Sequence, residues 1–133
     1  MASSATVDRH DPGAGGIRVH TVAWVSHTDG SVNNSLGKTV GEIVRVTFDP
    51  DGGGTQPSDQ YDATITDSAG VDILGGQGSN LSNVTSTQVC PGVPLKDGTT
   101  TSVVPCCVND TLTLVIAAAG NGKGGTIRVY LIG

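Results

Sequence analysis

Alternation with a period of two constrains this chain more than any other feature. Ile17, Val19, Thr21, Ala23 and Val25 alternate with Arg18, His20, Val22 and Trp24. That period marks a strand, because the apolar stripe of a helix recurs every three to four residues. The residue palette agrees: Val, Ile and Thr make up nearly a third of the chain, and Glu42 is the only glutamate. Such a palette favours strands and turns over helices.

The same pattern recurs downstream, punctuated by turn residues. His27-Thr28-Asp29-Gly30 closes the first strand. Ile43 to Phe48 reads as the next, with Val44, Val46 and Phe48 on one face and Ile43, Arg45 and Thr47 on the other. Asp49-Pro50-Asp51 and three glycines stop it, since proline donates nothing to a ladder and glycine allows positive φ. Tyr61, Ala63 and Ile65 alternate with Asp62, Thr64 and Thr66, and Ser68-Ala69-Gly70 leads into Val71 to Leu74 as a hairpin. A Gly/Ser/Asn-rich stretch covers 75–82 and a β-like run 84–89. Residues 90–110 hold three prolines and read as a long excursion with a short strand at 100–104. Leu112, Leu114 and Ile116 predict one strand and Ile127, Val129 and Leu131 another, and the glycine-rich loop between them predicts an antiparallel hairpin.

The expected fold is all-β: an antiparallel β-sandwich or open barrel of roughly six to eight short strands. A chain of 133 residues has the size of a single domain, which is assigned here to 17–133. Residues 1–16 are small and polar and end in Pro12-Gly13-Ala14-Gly15-Gly16, too little apolar area to offset their ordering entropy. They predict an extended N-terminal arm, either flexible or held by a partner.

Charge and hydropathy remove several partners. Twelve acids against seven bases give a net charge of -5, which repels a phosphate backbone, so no nucleic acid is expected. The longest apolar run, Leu114 to Ala119, falls far short of the roughly 20 residues a membrane helix needs. Residues 1–16 carry Asp8, Arg9, His10 and Asp11 where a secretory leader has a continuous apolar stretch, so Sec-type export is not expected.

No motif predicts catalysis or a cofactor. Lys123 sits in a glycine loop, but the P-loop order of Gly-Lys-Ser/Thr followed by a helix is missing, and the segment reads as a turn. Asp49, Asp51, Asp59, Asp62, Asp67 and Asp72 lack the alternating spacing and terminal glutamate of a calcium loop. They read as turn formers that accept backbone amides. His10, His20 and His27 form no spaced ligand or triad pattern, and His20 falls on the face of Trp24, where an interface role is expected. Four aromatics leave little for a sugar platform beside paired carboxylates.

Cys90, Cys106 and Cys107 leave three states open: buried reduced thiols, one disulfide within the chain, or a bond to a partner chain. Adjacent strand cysteines point to opposite faces, so Cys106 and Cys107 cannot meet the same neighbour. Val22, Trp24 and Ile43 are apolar residues on second faces without evident cover and are the candidate interface residues of a homo-oligomer.

Two blocks carry a resemblance. Gln60-Tyr61-Asp62-Ala63-Thr64-Ile65-Thr66-Asp67, continued through Gly70-Val71-Asp72-Ile73-Leu74 to Gly76-Gln77-Gly78, resembles a segment of small virion-associated proteins of tailed bacteriophages. Leu112-Thr113-Leu114, Ala119-Gly120-Asn121-Gly122-Lys123-Gly124-Gly125 and the Val129-Tyr130-Leu131 ending are similar to the same group, so the likeness spans about 40–133. It implies an all-β structural protein of the particle, a head decoration or cement protein made in the host cytoplasm and bound to the major capsid protein or other virion subunits. A neck, tail or fibre-attachment component is the near alternative, and a glycan- or receptor-binding module the alternative of another class. The likeness brings no catalytic residues with it.

Overall fold

The computed structural model describes residues 2–10, 16–91, 93–94, 103–104 and 106–133. In chain order the strands are β1 (Ser4–His10), β2 (Arg18–Val25), β3 (Val32–Pro50), β4 (Asp62–Thr66), β5 (Thr87–Val89), β6 (Val93–Pro94), β7 (Val103–Val104), β8 (Cys106–Ala117) and β9 (Gly124–Ile132), with one 3-10 turn at Gly53–Thr55. Seven of them form one antiparallel sheet in the order β1-β2-β9-β3-β8-β4, with β5 also paired to β3. β6 and β7 make a separate two-stranded ribbon. The fold is all-β, as the alternation predicts.

The 19-residue β3 organises the sheet. Its first part, Val32 to Ile43, pairs with β8, and its second, Glu42 to Pro50, pairs with β9. Two register shifts interrupt it, between Ser35 and Gly37 in the β8 ladder and between Ile43 and Arg45 in the β9 ladder. Each inserts one residue and so exchanges inward and outward side chains beyond it. The buried positions accordingly fall at Val32, Leu36, Thr39, Ile43, Val46 and Phe48, with an odd step after Leu36 and again after Ile43. Simple alternation puts Ile43 opposite Val46 and Phe48. The bulge at Val44 instead places all three inside.

Along the edge of β3 that faces away from β8, two arginines take the place of a backbone ladder. Arg9 of β1 donates through Nη2 to the Leu36 carbonyl at 2.6 Å, and Arg18 of β2 donates to the carbonyls of Val40 and Gly133. Each contact is made beside a glycine of positive φ, Gly37 at 81° and Gly41 at 133°, where a side chain would collide with the guanidinium. In the order of the sheet β1 lies three places from β3, about 14 Å if the sheet were flat. These bonds therefore require the sheet to curl over itself. The interior of the curl holds Trp24, Phe48, Tyr61, Ile65, Leu114, Ile116, Ile127 and Leu131.

Three expectations need correction. The strands of Leu112–Ile116 and Ile127–Leu131 are not a hairpin, because β3 lies between β8 and β9 and pairs with both. The N-terminal arm is, over Ser4–His10, a strand matched at seven positions with β2. Ala5 and Val7 supply the apolar contacts that hold it to the core, a period of two too short to stand out among Ser and Thr. Residues 11–15 lie outside the described residues. The 61–74 hairpin is regular only in β4; Val71 to Leu74 returns through a bridge from Thr66 to Asp72 and an Ile73 N–H bond to Ile65 O at 2.8 Å. Of the strand expected at 100–104, residues 100–102 lie outside the described residues and Val103–Val104 forms β7.

Candidate functional site

The residues expected at an interface lie inside the chain. Val22, Trp24 and Ile43 are 1%, 2% and 1% exposed. On β2 it is the face of His20, Val22 and Trp24 that turns inward, leaving Ala23 and Val25 outside. The reason is on the neighbouring strand. Trp24 registers with Gly125 of β9, and a Cβ at Gly125 would stand 3.1 Å from the indole Cε2 and Cζ2 atoms, so the glycine leaves the room in which the ring lies. Tyr61 packs near the same ring, its centroid 5.7 Å from that of Trp24. Burial, with a smaller contribution from the Asp49 charge, pushes the Tyr61 phenol up to about 12. His20 is likewise an interior residue of its own chain.

The three cysteines are free thiols. Cys106 is buried, and burial, then the Asp67 charge, raises its thiol above the usual range. Cys90 and Cys107 are exposed. Cys106 and Cys107 take opposite faces of β8, as strand geometry requires.

Of the six aspartates expected to form turns, Asp67 and Asp72 do so, Asp59 and Asp62 bind amides of other loops, and Asp49 and Asp51 accept the hydroxyls of Ser86 and Thr55. Asp67 Oδ1 accepts the amides of Ala69 and Val71 at 3.0 Å each. Asp72 accepts those of Leu74 and Gly76, Asp62 that of Asn80 and Asp59 that of Asn83. Asp110 accepts both the amide and the hydroxyl of Ser68, which hold its carboxyl below the usual range. A carboxylate on a short stem reaches its own neighbouring amides, which suits aspartate to positions 67 and 72. Lys123 is equally committed: its Nζ donates to Gly54 O at 3.0 Å, and its amide to the buried Ser26 hydroxyl at 2.9 Å. The loops are thereby tied together. Ser58 N–H bonds Ala119 O, Ala119 N–H bonds Gly30 O, and Gln60 N–H bonds Leu81 O. The Gln56 amide donates to Asn83 O, and the Asn83 amide to Pro57 O.

Two surface features escaped sequence reasoning. At one end of the sheet Ile17 is 55% exposed, Val40 45% and Ile132 39%. Ile17 precedes Arg18, the register partner of Leu131, and Ile132 pairs with Glu42 two residues beyond Val40. The three therefore share one corner around Arg18, a juxtaposition of residues 17, 40 and 132 that no local pattern reveals. The second is β1, which ends the hydrogen-bonded order of the sheet and, among the described residues, has a backbone ladder on one side only; its other side lies against the first half of β3, where Ser3 Oγ donates to Asn34 Oδ1 and Arg9 to the Leu36 carbonyl. Among the described residues no group of three or more His, Cys, Asp or Glu side chains could hold a metal ion. No helix there is long and apolar enough to cross a membrane.

Fold and surface together define an all-β chain built on a curled antiparallel sheet. Comparison with protein-family models, curated proteins and solved structures finds no match.

Proposed function

We propose that this chain is a structural protein of a bacteriophage virion, a head decoration or cement protein that binds between shell subunits. The observation that carries the reading is the apolar corner of Ile17, Val40 and Ile132. Exposed apolar residues gathered at one place favour protein contacts. A protein of this kind acts by binding energy alone, which suits a domain whose charged side chains are largely spent on turns and strand edges. The resemblance of the 60–78 and 112–131 blocks to phage virion proteins points the same way, and the reading includes homo-oligomerisation around a local symmetry axis.

Particles assembled without the protein should lose integrity at lower temperature or lower salt than complete ones, and adding it back should restore them. Equal stability of the two would remove the cementing role. Counting copies per particle separates a lattice position, with hundreds, from a neck or fibre position, with about a dozen or fewer.

The hydrogen-bonded knot of loops 49–59 and 75–83 favours a second reading, a glycan- or receptor-binding module with a preformed polar surface. Saturable binding of a soluble glycan by the isolated chain, lost on Asn83→Ala, would support it over the first.

A further inference from the structure

The outward face of the β1-β2-β9-β3-β5 part of the sheet holds two arginines, Arg45 and Arg128, that form no ion pair among the described residues. The ladders align one row across five strands, Asp8, Thr21, Arg128, Thr47 and Gln88. The next row is His10, Val19, Tyr130 and Arg45. On β2, β9 and the second half of β3 these positions alternate with buried ones and so project away from the core, and Asp8 and His10 of β1 are exposed. Arg45 is held in place twice: its Nε donates to Gln88 Oε1 at 2.7 Å, and its guanidinium carbon lies 4.9 Å from the centroid of the Tyr130 ring. Among the described residues no carboxylate forms an ion pair with it.

The other described bases have tasks. Arg9, Arg18 and Lys123 donate to backbone carbonyls, and the Lys38 charge acts on Asp110. The one ion pair among the described residues is His27 with Asp29, so neither Arg45 nor Arg128 is paired there. Asp8 stands two strands from Arg128 in its row, about 10 Å away. Asp49, on the same face, accepts the Ser86 hydroxyl at 2.9 Å, and Glu42, whose register partner Ile132 lies two residues beyond Tyr130 on that face, is in no ion pair among the described residues. Between the two arginines lies Thr47, whose buried Oγ1 is the only buried side-chain polar atom without a hydrogen-bond partner among the described residues. Such atoms ordinarily have one.

We propose that this face docks a carboxylate-rich, extended segment of a partner protein, with Arg45 and Arg128 each gripping one carboxylate and Tyr130, Thr47 and Gln88 completing the surface. Arg45 and Arg128 are diagonal neighbours, for which the Cα separation is about 7–8 Å. Side chains on one face of an extended peptide repeat every two residues, about 7 Å. Acids at alternate positions therefore meet both guanidinium forks at once, each fork matching the planar carboxylate in a bidentate fashion. The overall charge of -5 opposes a polyanion at long range but is screened beyond about 8 Å at physiological salt, leaving the local pair to decide. The inference does not depend on the particle reading.

The test is fluorescence anisotropy of the whole chain with a labelled peptide of alternating glutamate and serine. The peptide should bind, more weakly as salt rises. Arg45→Gln and Arg128→Gln should each weaken it about five- to tenfold, and Lys38→Gln, on another part of the sheet, should leave it unchanged. Both arginines project from the surface, and circular dichroism checks that the variants stay folded. Binding that ignores both arginine substitutions, or that is equal for a glutamine-serine peptide, overturns the proposal. So does arginine-dependent binding of a heparin oligosaccharide or a thymidine oligonucleotide in place of the peptide. Because the isolated chain is used, these results stand apart from any measurement on particles.

Discussion

Gly125→Ala places a methyl group in the room occupied by the Trp24 ring. Two effects favour the variant: the unfolded chain loses freedom, worth about 0.4–1 kcal/mol, and a buried methyl is worth about 0.8 kcal/mol. Against them, the new Cβ would lie 3.0 Å from the Asp49 carbonyl oxygen and 3.1 Å from two indole carbons. The carbonyl belongs to the β3 backbone, and the indole is 2% exposed and packed near Tyr61 at 5.7 Å between centroids, which leaves it little room to move. Overpacking with neighbours this firmly held costs up to about 3 kcal/mol. The net expectation is a loss of about 1 kcal/mol for Gly125→Ala and about twice that or more for Gly125→Val. With a typical urea dependence for a domain of this size, the smaller loss lowers the unfolding midpoint by roughly 0.5 M. Circular dichroism reads the transition, and Trp24, the only tryptophan, reports on the site by fluorescence in variants that keep it. The Trp24→Phe background, with a smaller ring, should abolish the loss, a coupling of about 1 kcal/mol in a double-mutant cycle. An increase in midpoint for Gly125→Ala, or an equal loss in both backgrounds, would refute the reasoning.

Further outcomes follow from the contacts. Arg18→Met should destabilise the chain by about 1 kcal/mol through loss of a charged donor to Val40 and Gly133, measured by the same urea titration. In the native protein Cys90 and Cys107 should react promptly with an aromatic disulfide reagent, while the buried Cys106, its thiol raised by burial, should react only on unfolding; three equal rates would contradict the assignment of faces. The Asp110 carboxyl is held low by Ser68, so its contribution is present above the unfolded carboxyl value and disappears as pH falls through the lowered folded value. Ser68→Ala should therefore narrow the difference in stability between about pH 7 and about pH 3. Tyr61 has the opposite sign: its contribution is complete below about 10 and is lost as pH rises from there through about 12, which an alkaline titration of tyrosine absorbance will follow.

Much of the secondary structure was legible because it is local. The alternation of 17–25 and 127–131 and the turn role of Asp67 and Asp72 depend only on neighbours in the chain. The first half of β3 was not, because Asn33, Asn34, Ser35 and Gly37 are residue types poor in strand preference and the bulge at Leu36 breaks the alternation. The inward turn of Trp24 depends on Gly125, a hundred residues away, and the inward turn of Ile43 depends on the bulge at Val44. For that reason candidate interface residues proved to be core. The surface features are non-local by nature: 17, 40 and 132 form the apolar corner, and 45 meets 128 and 130 only once β3 and β9 are in register.

The central position of β3 also orders events in time. Its partners β8 and β9 begin at Cys106 and Gly124, so during synthesis Val32 to Pro50 emerge well before either ladder can form. Pairings so distant in sequence make for slow folding, and a long unpaired strand invites association with other chains. Gly37, Gly41 and the interruptions at Leu36 and Val44 break that strand into short pieces with poor matching to one another. The irregularities that shape the finished sheet thus also protect the unfinished one, keeping β3 a weak template until its own chain supplies the partners.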